Sequence, residues 1–434
     1  MTVAFYTLGC KVNQYETQAL EQLFAARGHA LAPFEGEADV YIINTCTVTA
    51  VSDKKSRQTI RQARKRAPGA LVAVCGCYPQ THPGDMAGLP VDLVSGTGDR
   101  LGFVERVEQA WEERRPAAVL DDAMCRRTFE VLPAGRLEGR TRAFLKVEDG
   151  CANFCAYCVI PYARGPVRSL PLATATAQAK QLAEEGCREL VLTGIEISSW
   201  GRDLRDGSSL IDLVETVCAA APECRVRLGS LEPRTVTGEF CARAAKLDNL
   251  CPHFHLSLQS GCDATLKRMN RKYDAARYYE SVELLRKHFD SPAVTTDLIA
   301  GFPGETEEEF EETLRFIERC GFSAMHIFPY SRRPGTPAAD MPGQAPKAVK
   351  EERVRKAAAL AERMEQSYLA RWLGQTVPVL FEEQKDGLWW GHTARYSRVG
   401  VSSGENLHNR LRRVQITAVE PGCLLGEILN LEKR

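Results

Sequence analysis

Short apolar runs alternate with helical patterns through most of this chain. In the first 112 residues, helical patterns at Tyr15–Arg27 and Ser52–Arg66 separate three runs that predict strands, VAFYTLG, DVYIINT and ALVAVCG. Strands that alternate with helices form βαβ units, which build a parallel sheet with helices on both faces. The alternation therefore predicts an α/β fold that begins with a doubly wound parallel sheet.

A second alternating series begins at Arg142. Helical patterns separate its six apolar runs, which are RAFLKVE, RELVLTG, CRVRLGS, PHFHLSLQ, AVTTDLIA and FSAMHIFPY. Six strand–helix units make up about three quarters of an eight-stranded barrel. The sequence therefore predicts a partial (β/α)6 barrel, and the open side of such a barrel suits a bulky substrate.

The C-terminal part of the chain changes character after a Pro/Gly-rich connector, Ser331–Pro346, and a charged helix. Five short strand patterns with turn residues between them predict a small five-stranded, OB-like β-barrel, a fold that often binds nucleic acid. We therefore predict three domains, at residues 1–112, 137–368 and 369–434.

Two basic segments stand out although the formal net charge is zero. Lys54–Arg66 contains seven basic residues and no acidic one, and Arg410, Arg412 and Arg413 accompany aromatic residues in the predicted β-barrel. Cations that meet phosphates beside aromatic rings that stack on bases are the elements of single-stranded RNA recognition. Each basic segment is either a polyanion-binding surface or an ordinary solvated face.

The chain has 16 cysteines among 434 residues. It shows no signal-peptide pattern and no apolar run near the roughly 18 residues of a membrane span. We therefore expect a cytoplasmic protein without membrane contact. In such a protein, cysteines indicate metal ligation or burial rather than disulfide bonds.

Three cysteines, Cys151, Cys155 and Cys158, follow the first predicted barrel strand in the segment GCANFCAYC. Barrel enzymes place their chemistry at this end of the strands. The next cysteine is Cys187, so a local fourth ligand is missing. A structural zinc site needs four ligands, whereas three thiolates with an open position indicate a reactive iron–sulfur cluster.

A second set of cysteines, Cys10, Cys46 and Cys77, follows the three predicted strands of the N-terminal sheet. The carboxyl ends of parallel strands line the ligand crevice of an open α/β sheet. Three thiols there either converge on a second cluster or are small buried side chains. Cys75 competes with Cys77, and a turn at Gly76 would bring Cys77 to the loop.

The C-x3-C-x2-C loop resembles that of the radical S-adenosylmethionine (SAM) superfamily. The resemblance implies that Cys151, Cys155 and Cys158 hold a 4Fe-4S cluster whose fourth iron binds the amino and carboxylate groups of SAM. The missing ligand is then the cofactor. An electron from the cluster cleaves SAM in that superfamily and yields a 5′-deoxyadenosyl radical.

Further segments resemble the methylthiotransferase family: TLGCKVNQYET, NTCTVT, GCYPQ, HLSLQSGCDATLKRMNR and TTDLIAGFPGET. This resemblance implies that Cys10, Cys46 and Cys77 hold an auxiliary cluster, so that the cofactors are two 4Fe-4S clusters and SAM. The β-rich end resembles the TRAM domain of that family, an RNA-binding domain.

The methylthiotransferase family has three branches, which modify isopentenyladenosine in tRNA, an aspartate of a ribosomal protein, or threonylcarbamoyladenosine in tRNA. Gly9–Asn13, with the sequence GCKVN, resembles the third branch. The resemblance implies an enzyme that adds a methylthio group to carbon 2 of the modified adenosine next to the anticodon. Alternatives are the same reaction on the other two substrates, or a zinc-containing RNA-binding protein without catalysis.

The same resemblance implies partners beyond the tRNA anticodon loop. These are an electron donor such as flavodoxin or ferredoxin, and a source of sulfur. Polar residues at the ends of the barrel strands are candidates for binding SAM: Thr193, Glu232, Ser257, Gln259 and Asp297. Each could instead satisfy a buried neighbour. We predict no catalytic side chain beyond the cluster ligands.

Overall fold

The computed structural model describes residues 1–134 and 141–429 of the chain. The predicted start of the second domain at residue 137 and the predicted end of the third at residue 434 lie outside these ranges. In the described part, no helix is both long enough and apolar enough to cross a membrane.

The N-terminal sheet contains six parallel strands in the order β2-β1-β3-β4-β5-β6. Its strands are β1 (Thr2–Thr7), β2 (Ala30–Ala32), β3 (Val40–Thr45), β4 (Leu71–Gly76), β5 (Leu93–Ser95) and β6 (Ala117–Val119). Its helices are α1 (Lys11–Ala26), α2 (Ala50–Arg66), α3 (Cys77–Thr81), α4 (Pro83–Met86) and α5 (Arg100–Glu113).

Helices cover both faces of this sheet. Phe24 of α1 and Phe103 of α5 pack in one apolar cluster, and Ile60 of α2 packs in a second cluster on the other face. The prediction of a doubly wound sheet is therefore confirmed. The sequence did not reveal β2, β5 and β6, which have three residues each, too few for a readable pattern.

The central part is an open barrel of parallel strands. Its strands, with one short antiparallel pair, are β7 (Arg142–Lys146), β8 (Glu148–Asp149), β9 (Arg168–Ser169), β10 (Glu189–Thr193), β11 (Arg225–Leu228), β12 (Ser230–Leu231), β13 (His253–Leu256), β14 (Ala293–Ala300) and β15 (Ala324–Pro329). Its helices are α6 (Ile160–Arg164), α7 (Leu172–Glu184), α8 (Leu210–Ala220), α9 (Gly238–Ala244), α10 (Asp263–Arg268), α11 (Ala275–His288), α12 (Glu307–Cys320), α13 (Pro337–Asp340) and α14 (Lys347–Ala370).

The barrel consists of two sheet segments, ordered β11-β10-β7 and β12-β13-β14-β15. They meet at Gly229, which divides the predicted strand CRVRLGS into β11 and β12. Gly229 donates its N–H to the carbonyl of Leu192, and a Cβ at Gly229 would lie only 2.9 Å from that oxygen. The close approach requires glycine and explains the break.

The C-terminal part closes into a five-stranded barrel ordered β16-β17-β18-β20-β19, as predicted. Its strands are β16 (Thr376–Lys385), β17 (Leu388–Thr393), β18 (Arg398–Val401), β19 (Leu411–Glu420) and β20 (Cys423–Ile428). A turn of this barrel packs on the central part, where the guanidinium of Arg227 lies 4.7 Å from the ring of Tyr396. Tyr396, an aromatic residue of the C-terminal barrel, thus contacts the central part of the chain.

Candidate active site

The three-cysteine loop lies between β8 and α6, at the carboxyl end of the first barrel strand. Cys151 donates its N–H to Gly165 at 3.0 Å, and Cys158 donates to the carbonyl of Cys155 at 2.9 Å. All three cysteines line one cavity of about 160 Å³. The fold therefore brings the thiols predicted from spacing to a common space.

Polar side chains from neighbouring strand ends share this cavity. Glu196, Ser230, Glu232 and Ser257 line it together with Arg271, whose Nη1 lies 3.1 Å from the sulfur of Cys155. Burial raises the pKa of the Cys158 thiol to about 12 and also raises that of Cys151. Burial therefore favours the protonated thiols of Cys151 and Cys158, and a metal that bound there would displace their protons.

The five candidates for SAM binding fall in different places. Glu232 and Ser257 line the cysteine cavity. Gln259 and Asp297 line a neighbouring cavity of about 230 Å³, which shares Cys158 with the first. Thr193 lines neither of these two cavities in the described part of the chain; its carbonyl accepts the N–H of Val147 at 2.8 Å.

Glu148, which the sequence did not single out, is buried beside the cysteine loop. Its Oε2 accepts the N–H of Glu196 at 2.8 Å, while its Oε1 is buried without a hydrogen-bond partner among the described residues. Burial raises the pKa of Glu148 well above its ordinary value. Burial thus favours the protonated form of Glu148, and one of its oxygens is unused.

The second set of cysteines also lies at strand ends. Cys10 caps the N-terminus of α1, Cys46 follows β3, and Cys77 is the first residue of α3. A Cβ at Gly9 would lie 2.9 Å from the sulfur of Cys46. A Cβ at Gly76 would lie 2.5 Å from the carbonyl oxygen next to Cys46 in the chain. The three loops are thus packed against one another.

Cys75 and Cys77 have different surroundings. Cys75 belongs to β4 and packs in an apolar cluster of the sheet. Gly76 has a φ of 102°, a value that favours glycine, and turns the chain so that Cys77 begins α3. The sequence analysis predicted that a turn at Gly76 would bring Cys77, and not Cys75, to the loop. That turn is present.

Asn13 binds two of the loops that carry the second set of cysteines. Its Nδ2 donates to the carbonyl of Leu8 at 2.8 Å and to that of Thr45 at 2.9 Å. Leu8 and Thr45 end the segments that lead to Cys10 and Cys46. Arg164, six residues after Cys158, donates from Nη2 to Asn13 Oδ1 at 2.7 Å. Asn13 therefore connects both cysteine sets.

A buried ionic network surrounds this contact. Glu16 accepts hydrogen bonds from Arg100 Nη2 at 2.8 Å, from Lys146 Nζ at 2.9 Å, and from Arg164. Burial alone would raise the pKa of Glu16, but Arg164, Lys146 and Arg100 hold it well below its ordinary value. Glu16 is therefore an anion, and it joins the N-terminal sheet to the central barrel.

Residues from loops of both cysteine sets line the neighbouring cavity. They include Cys158 of the first set and, from the loop of the second, Val48 and Thr49, which lie two and three residues after Cys46. Phe328, which is 47% exposed, adds apolar surface to the cavity.

Sequence reasoning missed Asn13, Glu16, Arg164, Glu148 and Arg271. A charged residue in a helical pattern is usually on the solvated face, so Glu16 gives no local sign of burial. Within the described residues, no three His, Cys, Asp or Glu side chains are close enough to ligate one metal ion. A four-iron cluster places each thiolate on a separate iron, which is a different requirement.

Comparison with known proteins agrees with this architecture. Residues 145–317 match the Radical SAM superfamily, and residues 2–96 match Uncharacterized protein family UPF0004. The radical SAM methyltransferase TsrM from Kitasatospora setae, with tryptophan and a SAM analogue bound, has a TM-score of 0.57. The two chains are 16% identical, and the match covers 78% of this chain and 75% of TsrM.

Two curated relatives match almost the entire chain. Threonylcarbamoyladenosine tRNA methylthiotransferase MtaB of Bacillus subtilis is 41% identical, over 96% of this chain and 93% of its own length. The tRNA-2-methylthio-N(6)-dimethylallyladenosine synthase of Moorella thermoacetica is 35% identical, over 99% of this chain and 98% of its own. The chain therefore belongs to the radical SAM methylthiotransferase family.

Proposed function

We propose that this chain is a tRNA methylthiotransferase that acts on threonylcarbamoyladenosine next to the anticodon and adds a methylthio group to carbon 2 of the adenine. The observation that carries the proposal is the cavity lined both by Cys158 and by Val48 and Thr49 of the loop after Cys46. The 41% identity to MtaB of Bacillus subtilis supports the choice of substrate over isopentenyladenosine, whose named relative is less similar.

The residues present fit the cofactors that this reaction requires. Cys151, Cys155 and Cys158 would hold one 4Fe-4S cluster, and Glu232 and Ser257 would contact SAM in the same cavity. A second 4Fe-4S cluster would be held by three further thiols, those of Cys10, Cys46 and Cys77. With SAM, the clusters supply the electron and the sulfur for a radical reaction at an unactivated carbon.

The protein's own residues would bind, orient and shield the reactants. Arg271 donates from Nη1 to the sulfur of Cys155 at 3.1 Å and would place a positive charge beside a cluster held there. Glu148 accepts the backbone N–H of Glu196, a residue of the cavity wall, and would help to hold that wall in shape. Val48 and Phe328 offer apolar surfaces between which an adenine base can stack.

The C-terminal barrel would hold the RNA outside the active site, as a TRAM domain does. Arg410 and Arg413 are exposed and Arg412 is half-buried, whereas Phe381 belongs to the barrel core. Basic side chains on this barrel suit phosphate contacts.

We further propose three domains, at residues 1–112, 137–368 and 369–434. The reaction would also require two partners, an electron donor such as flavodoxin or ferredoxin and a sulfur source. We propose a cytoplasmic location for the chain.

The proposal is tested with the purified chain, reconstituted with iron and sulfide without oxygen. It is incubated with SAM, a reductant, sulfide and anticodon stem-loop RNAs that carry either threonylcarbamoyladenosine or isopentenyladenosine. Nucleoside mass spectrometry should detect a methylthio group on the first RNA, and none with Cys151→Ala. Cys125→Ala, which changes an exposed cysteine outside both sets, should leave the reaction intact.

Each other outcome identifies a rival. A product only on the isopentenyladenosine RNA would move the chain to another branch of the family. A colourless chain that contains zinc instead of iron, yet binds RNA, would support the non-catalytic alternative.

A further inference from the structure

The ionic network around Glu16 contains more positive than negative charge. Four of its buried side chains are cations, and two are carboxylates, Glu16 and Asp149; the cations are Arg100, Lys146, Arg164 and Arg168. Glu130, which is half-buried, accepts the backbone N–H of Arg100 and is a third carboxylate at the edge. Each cation contacts a carboxylate, but the four cations share these few carboxylates, so positive charge is in excess within the network.

Buried charge is rarely left unbalanced. Removing a cation from water costs several kcal/mol unless an anion compensates it. Nε of Arg164 and Nε of Arg100 are buried without hydrogen-bond partners among the described residues. The network as described is therefore incomplete, and an anion near Arg164 or Arg100 would complete its charge balance.

Arg164 lies where such an anion would be. It ends α6, and α6 packs against α3, which begins at Cys77. Through Asn13, the guanidinium of Arg164 is connected by two successive hydrogen bonds to the loops of Cys10 and Cys46. All three loops of the second cysteine set thus meet around Arg164.

We propose that Arg164 is a positioning residue for the second cluster: the central domain contributes it to a site whose ligands all come from the N-terminal domain. Its positive charge stabilises the anionic cluster, and its hydrogen bond to Asn13 fixes the loops of Cys10 and Cys46. This inference rests on the proposed second cluster and deepens it, because it makes that site complete only when the two domains are packed together.

The charge of the network has a measurable consequence. Three thiolate ligands make the cluster an anion, and reduction adds further negative charge, so nearby cations favour the reduced form. Loss of the Arg164 charge should lower the midpoint potential of the second cluster. Loss of the Glu16 charge should raise it. General damage to the fold would not give shifts of opposite sign.

The experiment uses the full chain with Cys151, Cys155 and Cys158 changed to Ala, so that only the second site can bind a cluster. Arg164→Gln, Lys146→Gln and Glu16→Gln are introduced separately. The midpoint potential of each variant is measured by redox titration with EPR detection, and iron per chain is determined. Arg353→Gln and Glu305→Gln are matched controls, because they alter a buried ion pair of 2.8 Å between α14 and the loop before α12, outside the network.

The proposal predicts a lower potential in Arg164→Gln and Lys146→Gln, a higher one in Glu16→Gln, and no change in the controls. If Arg164→Gln fails to fold, the separate variants Lys146→Gln and Arg164→Lys test the proposal instead. Lys146→Gln should lower the midpoint potential. Arg164→Lys keeps the positive charge, so its midpoint potential should stay near that of the parent. Unchanged potentials, or shifts of one sign in all network variants, would refute the role of Arg164. These outcomes would leave the proposed second cluster itself untouched. A parent that binds no iron would overturn the second cluster and this inference together.

Discussion

Glu16 and Arg164 form an ion pair that is closed to solvent, with side-chain exposures of 1% and 0%. Glu16 lies six residues after Cys10, and Arg164 lies six residues after Cys158. The pair therefore joins the helix behind one cysteine set to the helix behind the other. It fixes the distance between two loops that belong to different sheets.

Glu16→Ala should strongly destabilise the chain. The substitution leaves three buried cations, Arg100, Lys146 and Arg164, without their shared carboxylate. Breaking a buried ion pair from one side costs about 3–5 kcal/mol. Urea unfolding of the metal-free protein should show a loss of this size in the free energy of unfolding. Glu105→Ala, at an exposed pair with Arg27, should cost no more than about 1 kcal/mol.

Gly76→Ala should disrupt the second cysteine set without abolishing the first. A Cβ at Gly76 would lie 2.5 Å from the carbonyl of Thr45, so the chain next to Cys46 or Cys77 must move. Iron per chain should fall from about eight to about four, since one 4Fe-4S cluster is lost.

Gly28→Ala is the matched control for this change. Gly28 also has a positive φ, of 83°, but a Cβ there would meet no atom within 4 Å among the described residues. Both variants bear the cost of a left-handed backbone, and only Gly76→Ala adds the collision. Equal iron content in the two variants would show that the loops of the second set do not depend on their close packing.

Strands could be predicted from the sequence where their apolar runs are long. β3 and β4 have six residues each and appear directly in the patterns, whereas the three-residue strands β5 and β6 do not. The division of CRVRLGS at Gly229 depends on the carbonyl of Leu192, which belongs to another strand. A contact between distant segments leaves no trace in the local pattern.

The sequence alone groups the first set of cysteines, whereas it does not predict the ionic network. Spacing brings Cys151, Cys155 and Cys158 together within one loop. Glu16 meets Lys146 and Arg164 only after folding, across 130 and 148 residues of chain. Likewise, the local sequence does not show which candidates for SAM binding line which of the two cavities. The assignment of these residues to SAM stays a prediction.

Glu148→Gln should change how stability depends on pH. Burial raises the pKa of Glu148 well above its ordinary value near 4.5. The stability that the neutral group contributes is thus fully present below about pH 4.5 and is lost as the pH rises through the raised pKa. Gln stays neutral, so the free energy of unfolding of the variant should fall less than that of the parent between pH 5 and pH 8.

The exposed Glu318 provides the control for this measurement, as Glu318→Gln should leave the pH dependence of the parent unchanged. Urea unfolding of the metal-free proteins at several pH values gives the comparison. Parallel curves for Glu148→Gln and the parent would mean that Glu148 is charged in the folded protein.

Replacing Arg410, Arg412 and Arg413 with Gln should weaken RNA binding most at low salt. Each cation that meets a phosphate of single-stranded RNA contributes about 0.7 to the slope of log K against log salt concentration. The triple variant should therefore lose about 2 from the slope measured with an anticodon stem-loop. The control is a double variant, Lys347→Gln with Arg355→Gln, on the exposed side of α14, and it should keep the slope of the parent. An unchanged slope in the triple variant would exclude Arg410, Arg412 and Arg413 from the RNA interface.

The central claim is that both cysteine sets serve one methylthiolation of tRNA. The most direct measurement is nucleoside mass spectrometry of tRNA from cells that lack this gene and carry the chain, Cys46→Ala or Cys151→Ala on a plasmid. We expect the methylthio form of threonylcarbamoyladenosine only with the unaltered chain, and its unthiolated parent with either variant. Full modification with Cys46→Ala would contradict the account, because the second set would then be dispensable for sulfur insertion.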